Sequence, residues 1–407
     1  MTDTAETTLP NFPLKRSHPE VIPPDYEVMR GEGIGRARLP TGQVVWIISS
    51  YRHARSVLAD RRFSAEKTRP DFPRLSPRAP EKLKHFAPFL PNMEGAAHAQ
   101  LRRDLNEDFS PAGVARIRPR LQQAVDETVE SILTSPTKPV DIVQNLSFAT
   151  AYRLQEILLG IPTEELAKIR RNTEDLLMRS GSEAEERAAA ARLHHHIDAL
   201  LAAKEEQPGD DLVSRQIVRH REKYGKVDRY ELASLVQLLA VGDYNSIATM
   251  VSLGVLVLMR HPAVTELLVG EPARMTSAVS EILRFYSVND ATPIRVALED
   301  VHLGDTLVRA GDGVAVPLVL ANRDSGLCPH ADELRLLREN SKVRHIAFGH
   351  GPHLCLGHLL APIHLEICYR TLFERIPQLR LAVPEADLTY TYHSPQAFGP
   401  VELPVTW

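Results

Sequence analysis

The chain has 407 residues, of which 43% are hydrophobic and 25% charged, with 48 Lys and Arg against 52 Asp and Glu and a formal net charge of -4. That composition belongs to a globular protein with a large core, and its near-neutral balance excludes the broad basic field of a nucleic-acid binder and a polybasic membrane anchor. Three cysteines, Cys328, Cys355 and Cys368, exclude a disulfide framework and leave small molecules as the expected partners.

Residues 1–25 read as an irregular N-terminal segment without the apolar run of a signal sequence. Arg36 to Leu39 and Val44 to Ile48 flank the turn Pro40-Thr41-Gly42, which predicts a hairpin over 33–49. Periodicity and capping then predict helices over 51–60, 97–108, 111–135, 141–159, 163–178, 184–206, 209–223, 229–260, 262–268, 272–286 and 357–375. Ser110-Pro111 supplies a cap followed by proline at the first helical position, and Thr163-Glu164-Glu165 opens with an acidic first turn. His194-His195-His196 falls on a charged helix and reads as surface. Strand-like pieces follow at 294–297, 306–308, 314–319 and 379–404. No linker or repeat divides the chain, so the expectation is a single domain over 1–407, mainly α with small peripheral β-sheets.

The stretch 229–260 is apolar on nearly every side over its second half, which places it inside a core. Its longest apolar run, Met250 to Met259, is about half of what a bilayer requires, so no membrane association and a cytoplasmic location are expected. Its centre carries Gly242-Asp243-Tyr244-Asn245-Ser246, a polar run that a purely structural helix would avoid. This reads either as a kink around an internal polar cluster or as an irregular turn lining a cofactor or substrate.

The segment Phe348-Gly349-His350-Gly351-Pro352-His353-Leu354-Cys355-Leu356-Gly357 carries the strongest chemical signal. Glycines before Cys355 let the backbone pass close to something bulky, and Gly357 after it lets a helix begin without a side chain in the way. A helix starting there would aim its N-terminal N-H groups at the sulfur and favour thiolate. Cys328 and Cys368 lack such surroundings and read as small buried or loop residues. Zinc is the rival reading for His350, His353, Cys355 and His358, but they do not form two separated ligand pairs.

The pattern Phe-x-x-Gly-x-His-x-Cys-x-Gly resembles the haem-binding signature of the cytochrome P450 superfamily, in its soluble bacterial form. Glu281 and Arg284 match that family's Glu-x-x-Arg, on one helical face and ahead of Cys355. His98 and Arg102 resemble its His-x-x-x-Arg, which reaches the haem propionates. The resemblance implies the cytochrome P450 fold, haem b with Cys355 as axial thiolate, and His98, Arg102, Arg295 and His353 as propionate partners, with Phe348, Gly349 and Gly357 shaping the loop. It also implies a monomeric enzyme fed by a ferredoxin and a ferredoxin reductase, since no Gly-x-Gly-x-x-Gly fingerprint is present.

Where that family usually has Ala/Gly-Gly-x-Asp/Glu-Thr, this chain has Gly242, Asp243, Tyr244, Asn245 and Ser246. In this register the acid becomes Asn245 and the alcohol Ser246; slipped by one, Tyr244 and Asn245 take those places. An amide does not titrate, so ordinary proton delivery to dioxygen is weakened, with Ser246 or Asp243 compensating through water. This departure favours radical coupling of an aromatic or cyclic-dipeptide-type substrate in bacterial natural-product biosynthesis. Conventional hydroxylation or epoxidation by a monooxygenase is the alternative, and nitration or a haem binder without turnover are remoter options. Family position further implies substrate contacts from the loop 64–95, from Leu239, from Val288, Asn289 and Thr292, and from Gln396 and Phe398.

Overall fold

In this computed structural model the described residues are 9–13, 15–76, 90–178, 182–242, 244–289, 291–338, 343–394 and 397–407. In chain order the elements are α1 (Pro24–Glu32), β1 (Ile34–Arg38), β2 (Val44–Ile48), α2 (Tyr51–Ala59), β3 (Phe63–Ser64), α3 (Gly95–Phe109), α4 (Pro111–Leu133) and β4 (Val140–Asp141). Next come α5 (Ala149–Leu159), α6 (Thr163–Met178), α7 (Glu183–Glu206), α8 (Leu212–Tyr224), α9 (Arg229–Val241), α10 (Tyr244–Arg260), α11 (Pro262–Gly270) and α12 (Pro272–Tyr286). The remainder holds β5 (Ile294–Ala297), β6 (Val301–Leu303), β7 (Thr306–Val308), β8 (Gly313–Ala315), α13 (Leu318–Asn322), α14 (Leu360–Arg375), β9 (Arg380–Leu381), β10 (Tyr390–Ser394), β11 (Ala397–Pro400) and β12 (Pro404–Thr406).

The helices bury one large apolar core, with α10 in its midst: every residue from Ala248 to Leu258 is buried, as an all-round apolar helix requires. Gly254 lets Tyr369 of α14 approach α10, since a Cβ there would lie 1.9 Å from the tyrosine oxygen, which donates to Met250 O at 2.6 Å. Two smaller cores flank a sheet ordered β1-β2-β8-β5-β3, whose β2 and β8 run parallel. The smaller sheets are β4-β12-β9, β10-β11 and β6-β7. Ser110 caps α4 by accepting from Gly113 N at 3.1 Å, as its sequence predicts.

Several boundaries differ from the sequence expectation. The helix over 229–260 is two helices, because α9 ends at Val241 with Gly242 extended at ψ 127°. The stretch 141–159 opens with β4 and a wide π-helical turn over Val143–Phe148 before α5 begins. The strand over 314–319 stops at Ala315, because Pro317 starts the short α13. Helix α1 begins inside the supposedly irregular first 25 residues, and Asn11 pairs with Arg38 as an isolated bridge.

Candidate functional site

The cysteine loop is a closed backbone turn. Gly349 N donates to Ile346 O (2.8 Å), Cys355 N to Phe348 O (2.9 Å) and Leu354 N to Gly351 O (3.0 Å), while the His358 ring contacts Cys355 O at 2.9 Å. Positive φ angles of 76° at Gly349 and 74° at Gly351 make the reversal possible. Gly351 serves a different purpose from the one expected: a Cβ there would strike Leu58 O at 2.4 Å, so it admits the end of α2 rather than a cofactor. At Gly357 a Cβ would meet only the Cys355 sulfur, at 3.8 Å. The helix after the cysteine also starts later than expected, since Leu356–His358 is a 3-10 turn and α14 begins at Leu360.

Cys355 is partly buried and Arg102, from the middle of α3, is close enough for a thiolate to favour its positive charge. His98, one turn earlier, is buried and its ring lies 4.5 Å from that of His353. Burial lowers the basicity of Arg102, His98 and His353. Arg295 is brought down to about 10 by burial, against the opposing pull of Glu94, and His353 to about 3 by burial and then by Arg295, His98, Arg102 and Lys67. Lys67 is lowered too, by burial and then by Arg295. The structure therefore brings together the four predicted basic residues and adds Lys67 as a fifth. The nearby carboxylate of Glu94 is already engaged by Ser64 Oγ (3.0 Å) and Ala65 N (2.5 Å). Five basic side chains converging with so little negative charge fit a ligand with two carboxylates, as haem has.

Behind the loop, Glu281 and Arg284 form a buried pair with Nε and Nη2 each donating at 2.8 Å. Arg284 also donates to Asn322 O, Ala331 O and Glu333 O. Arg338 adds a second bidentate grip on Glu281, at 3.1 and 3.0 Å. Asn322 Oδ1 accepts from Ile346 N at 2.8 Å, tying this node to the strand-like entry of the cysteine loop.

On α10, Asn245 and Ser246 are partly exposed near its start and neither side chain has a hydrogen-bond partner among the described residues. Gly242 ends α9, whereas Asp243 lies outside the described residues, as do Gln396 and 77–89 of the loop 64–95. The other expected substrate segments do adjoin. Asn289 bridges Ala397, and a Cβ on Gly399 would meet Thr249 of α10 at 2.7 Å. Val288 and Leu239 are partly buried against the main core. Three residues are less available than expected: Thr292 and Asn289 bond each other (2.7 and 2.9 Å), and Phe398 is buried against Tyr392 with centroids 4.6 Å apart. Cys328 and Cys368 are buried, the latter 3.4 Å from His364 Nε2.

Glu94 stands four residues before His98, a helical spacing that could have revealed it, whereas Lys67 and Arg338 carry no local signal.

The sequence profile of the family described as Cytochrome P450 matches residues 164–377. Pentalenic acid synthase of Streptomyces avermitilis is 35% identical over 397 residues, covering 97% of each chain. Two solved structures superpose with TM-scores of 0.87. The proposed thioether synthase SgvP, from a tailoring step of griseoviridin, is 30% identical, with 98% of this chain and 100% of that one covered. The mycinamicin VIII C21 methyl hydroxylase MycCI of Micromonospora griseorubida is 31% identical with the same coverage.

Proposed function

The chain belongs to the cytochrome P450 family, and from that premise we propose that it is a bacterial natural-product oxidase that couples an aromatic or cyclic-dipeptide-type substrate by radical oxidation. Haem b, the family's cofactor, supplies the oxidising chemistry. Cys355 would hold it through its thiolate, and His98, Arg102, Arg295, His353 and Lys67 would meet its propionates. Each residue then has a defined task. Arg102 favours the ionised sulfur, the basic cluster orients the propionates, and the Glu281, Arg284 and Arg338 node fixes the loop that presents Cys355. Lys67→Met removes a partly buried cation and should at least double the rate of haem transfer to apomyoglobin; an unchanged rate would remove Lys67 from the set.

The observation that carries the coupling reading is Asn245 with Ser246 beside it. At the position where the family usually has an acid, Asn245 carries an amide that does not titrate, and the one carboxylate in the sequence of 238–250, Asp243, lies two residues before it. Coupling places less demand on such a group: as two rings join, the substrate loses two protons and two electrons from its N-H or O-H bonds, and these, with two electrons from the redox partner and two protons from solvent, reduce dioxygen to two waters. The bond-forming relative SgvP supports this reading. The hydroxylase MycCI favours the second one, oxygen insertion, with Ser246 and water delivering the proton. We further propose a single cytoplasmic domain that receives electrons from a ferredoxin and its reductase.

The decisive test turns over, under labelled dioxygen, whichever member of a panel of macrolides, steroids and tyrosine- or tryptophan-derived cyclic dipeptides shifts the haem spin state. Coupling yields a product without label, and a labelled product establishes insertion. Asn245→Asp should alter the peroxide released per nicotinamide consumed; identical yields would remove this position from the proton path.

A further inference from the structure

The break between α9 and α10 frees carbonyl groups that an intact helix would satisfy. Gly242 N still donates to Leu238 O at 2.6 Å, but Tyr244 N, which would serve Ala240 in an unbroken helix, turns to Gly242 O at 3.0 Å. Gln155 of α5 fills the gap. Its Nε2 donates to Leu239 O at 2.8 Å and shares its remaining capacity between Ala240 O at 3.2 Å and Gly242 O at 3.3 Å. The amide can face the break only if its oxygen is satisfied on the other side, and Arg170 Nη1 of α6 donates to Gln155 Oε1 at 2.8 Å.

Arg170 grips the downstream helix as well. Its guanidinium carbon lies 4.9 Å from the ring centroid of Tyr244, the first residue of α10, and 4.3 Å from that of Tyr152 on α5. Both Gln155 and Arg170 are buried, at 5% exposure each. Gln237 of α9 adds a link to the same helix, donating to Thr173 Oγ1 at 3.2 Å.

We propose that Gln155 and Arg170 are positioning residues that hold the break at Gly242 in one shape and thereby set the direction of Asn245 and Ser246. Gln155 takes the place of the Tyr244 N-H at Ala240 O upstream, and Arg170 clamps the start of α10 downstream through Tyr244. The opening is thus built into the protein by residues from two other helices. The role in catalysis rests on the function proposed above; the brace itself does not.

The test has two arms on the haem-loaded protein. In Gln155→Leu, amide hydrogen exchange in peptides covering 238–248 should quicken about tenfold, the change expected for one lost buried hydrogen bond, while peptides of α14 stay unchanged. With a surrogate plant ferredoxin and its reductase, peroxide released per nicotinamide consumed should change at least twofold while the carbon monoxide difference spectrum keeps its long-wavelength band. Arg170→Lys, which retains a donor for Gln155 but not the planar stack, should give a smaller change in both. Unchanged exchange at 238–248, or acceleration spread evenly over the chain, overturns the brace. Faster local exchange with unaltered peroxide yield overturns the positioning role.

Discussion

Replacing Cys355 with serine should abolish the long-wavelength Soret band of the reduced carbon monoxide complex while leaving the fold in place. The backbone bonds that shape the loop, from Cys355 N to Phe348 O and from Leu354 N to Gly351 O, do not involve the sulfur. Serine is smaller and fits the same space, but its hydroxyl does not ionise near neutral pH, so the negatively charged donor beside Arg102 is lost. Cys328→Ala and Cys368→Ala provide the contrast. Both cysteines are buried, and burial pushes the Cys368 thiol up to about 12, so that one offers no thiolate. Both variants should keep the band. Retention of the band in Cys355→Ser, or its loss in either control, would remove Cys355 from the ligand position.

Arg284→Ala should be the most destabilising single change at the site, costing about 3–5 kcal/mol in urea unfolding because it leaves the Glu281 carboxylate buried beside Arg338 alone. It also strands three backbone carbonyls, Asn322 at the end of α13 and Ala331 and Glu333 in the stretch between α13 and the cysteine loop. The soluble fraction should contain less haem per protein than wild type. Arg284→Lys keeps the charge but cannot reach all of these acceptors from one ammonium, so it should lose about half as much. Wild-type unfolding midpoints and haem content in Arg284→Ala would show that the node is not holding the loop.

Much of this was legible before any coordinates, and the reason is local. Helix caps, the hairpin over 33–49 and the cysteine loop are dictated by neighbours in sequence, as in Ser110-Pro111 and in Gly349 and Gly351 with their positive φ. The break after Val241 was visible as a polar run in an apolar helix, yet its shape was not, because Gln155 and Arg170 that stabilise it lie on α5 and α6. Lys67 and Arg338 escaped for the same reason: a lone Lys or Arg in a loop reads as solvated until the fold sets it beside a distant residue, Arg295 for Lys67 and Glu281 for Arg338. Gly351 was recognised as necessary but for the wrong neighbour, since the contact with Leu58 spans most of the chain.

That contact has a consequence for the order of assembly. The helical body waits for its own distant partner, since Thr371 of α14 accepts from Gln122 of α4, and in the same way β2 must wait for β8 and β3 for β5 before the main sheet exists. At typical synthesis rates the interval between β2 and β8 is roughly ten seconds to a minute, during which Val44 to Ile48 presents an apolar strand edge to its surroundings. The Cys355 loop rests on α2 through Gly351, so it takes its final shape only when that sheet has closed. Nascent chains should therefore depend on chaperone holding of the N-terminal hairpin, with the Cys355 loop among the last parts of the molecule to mature.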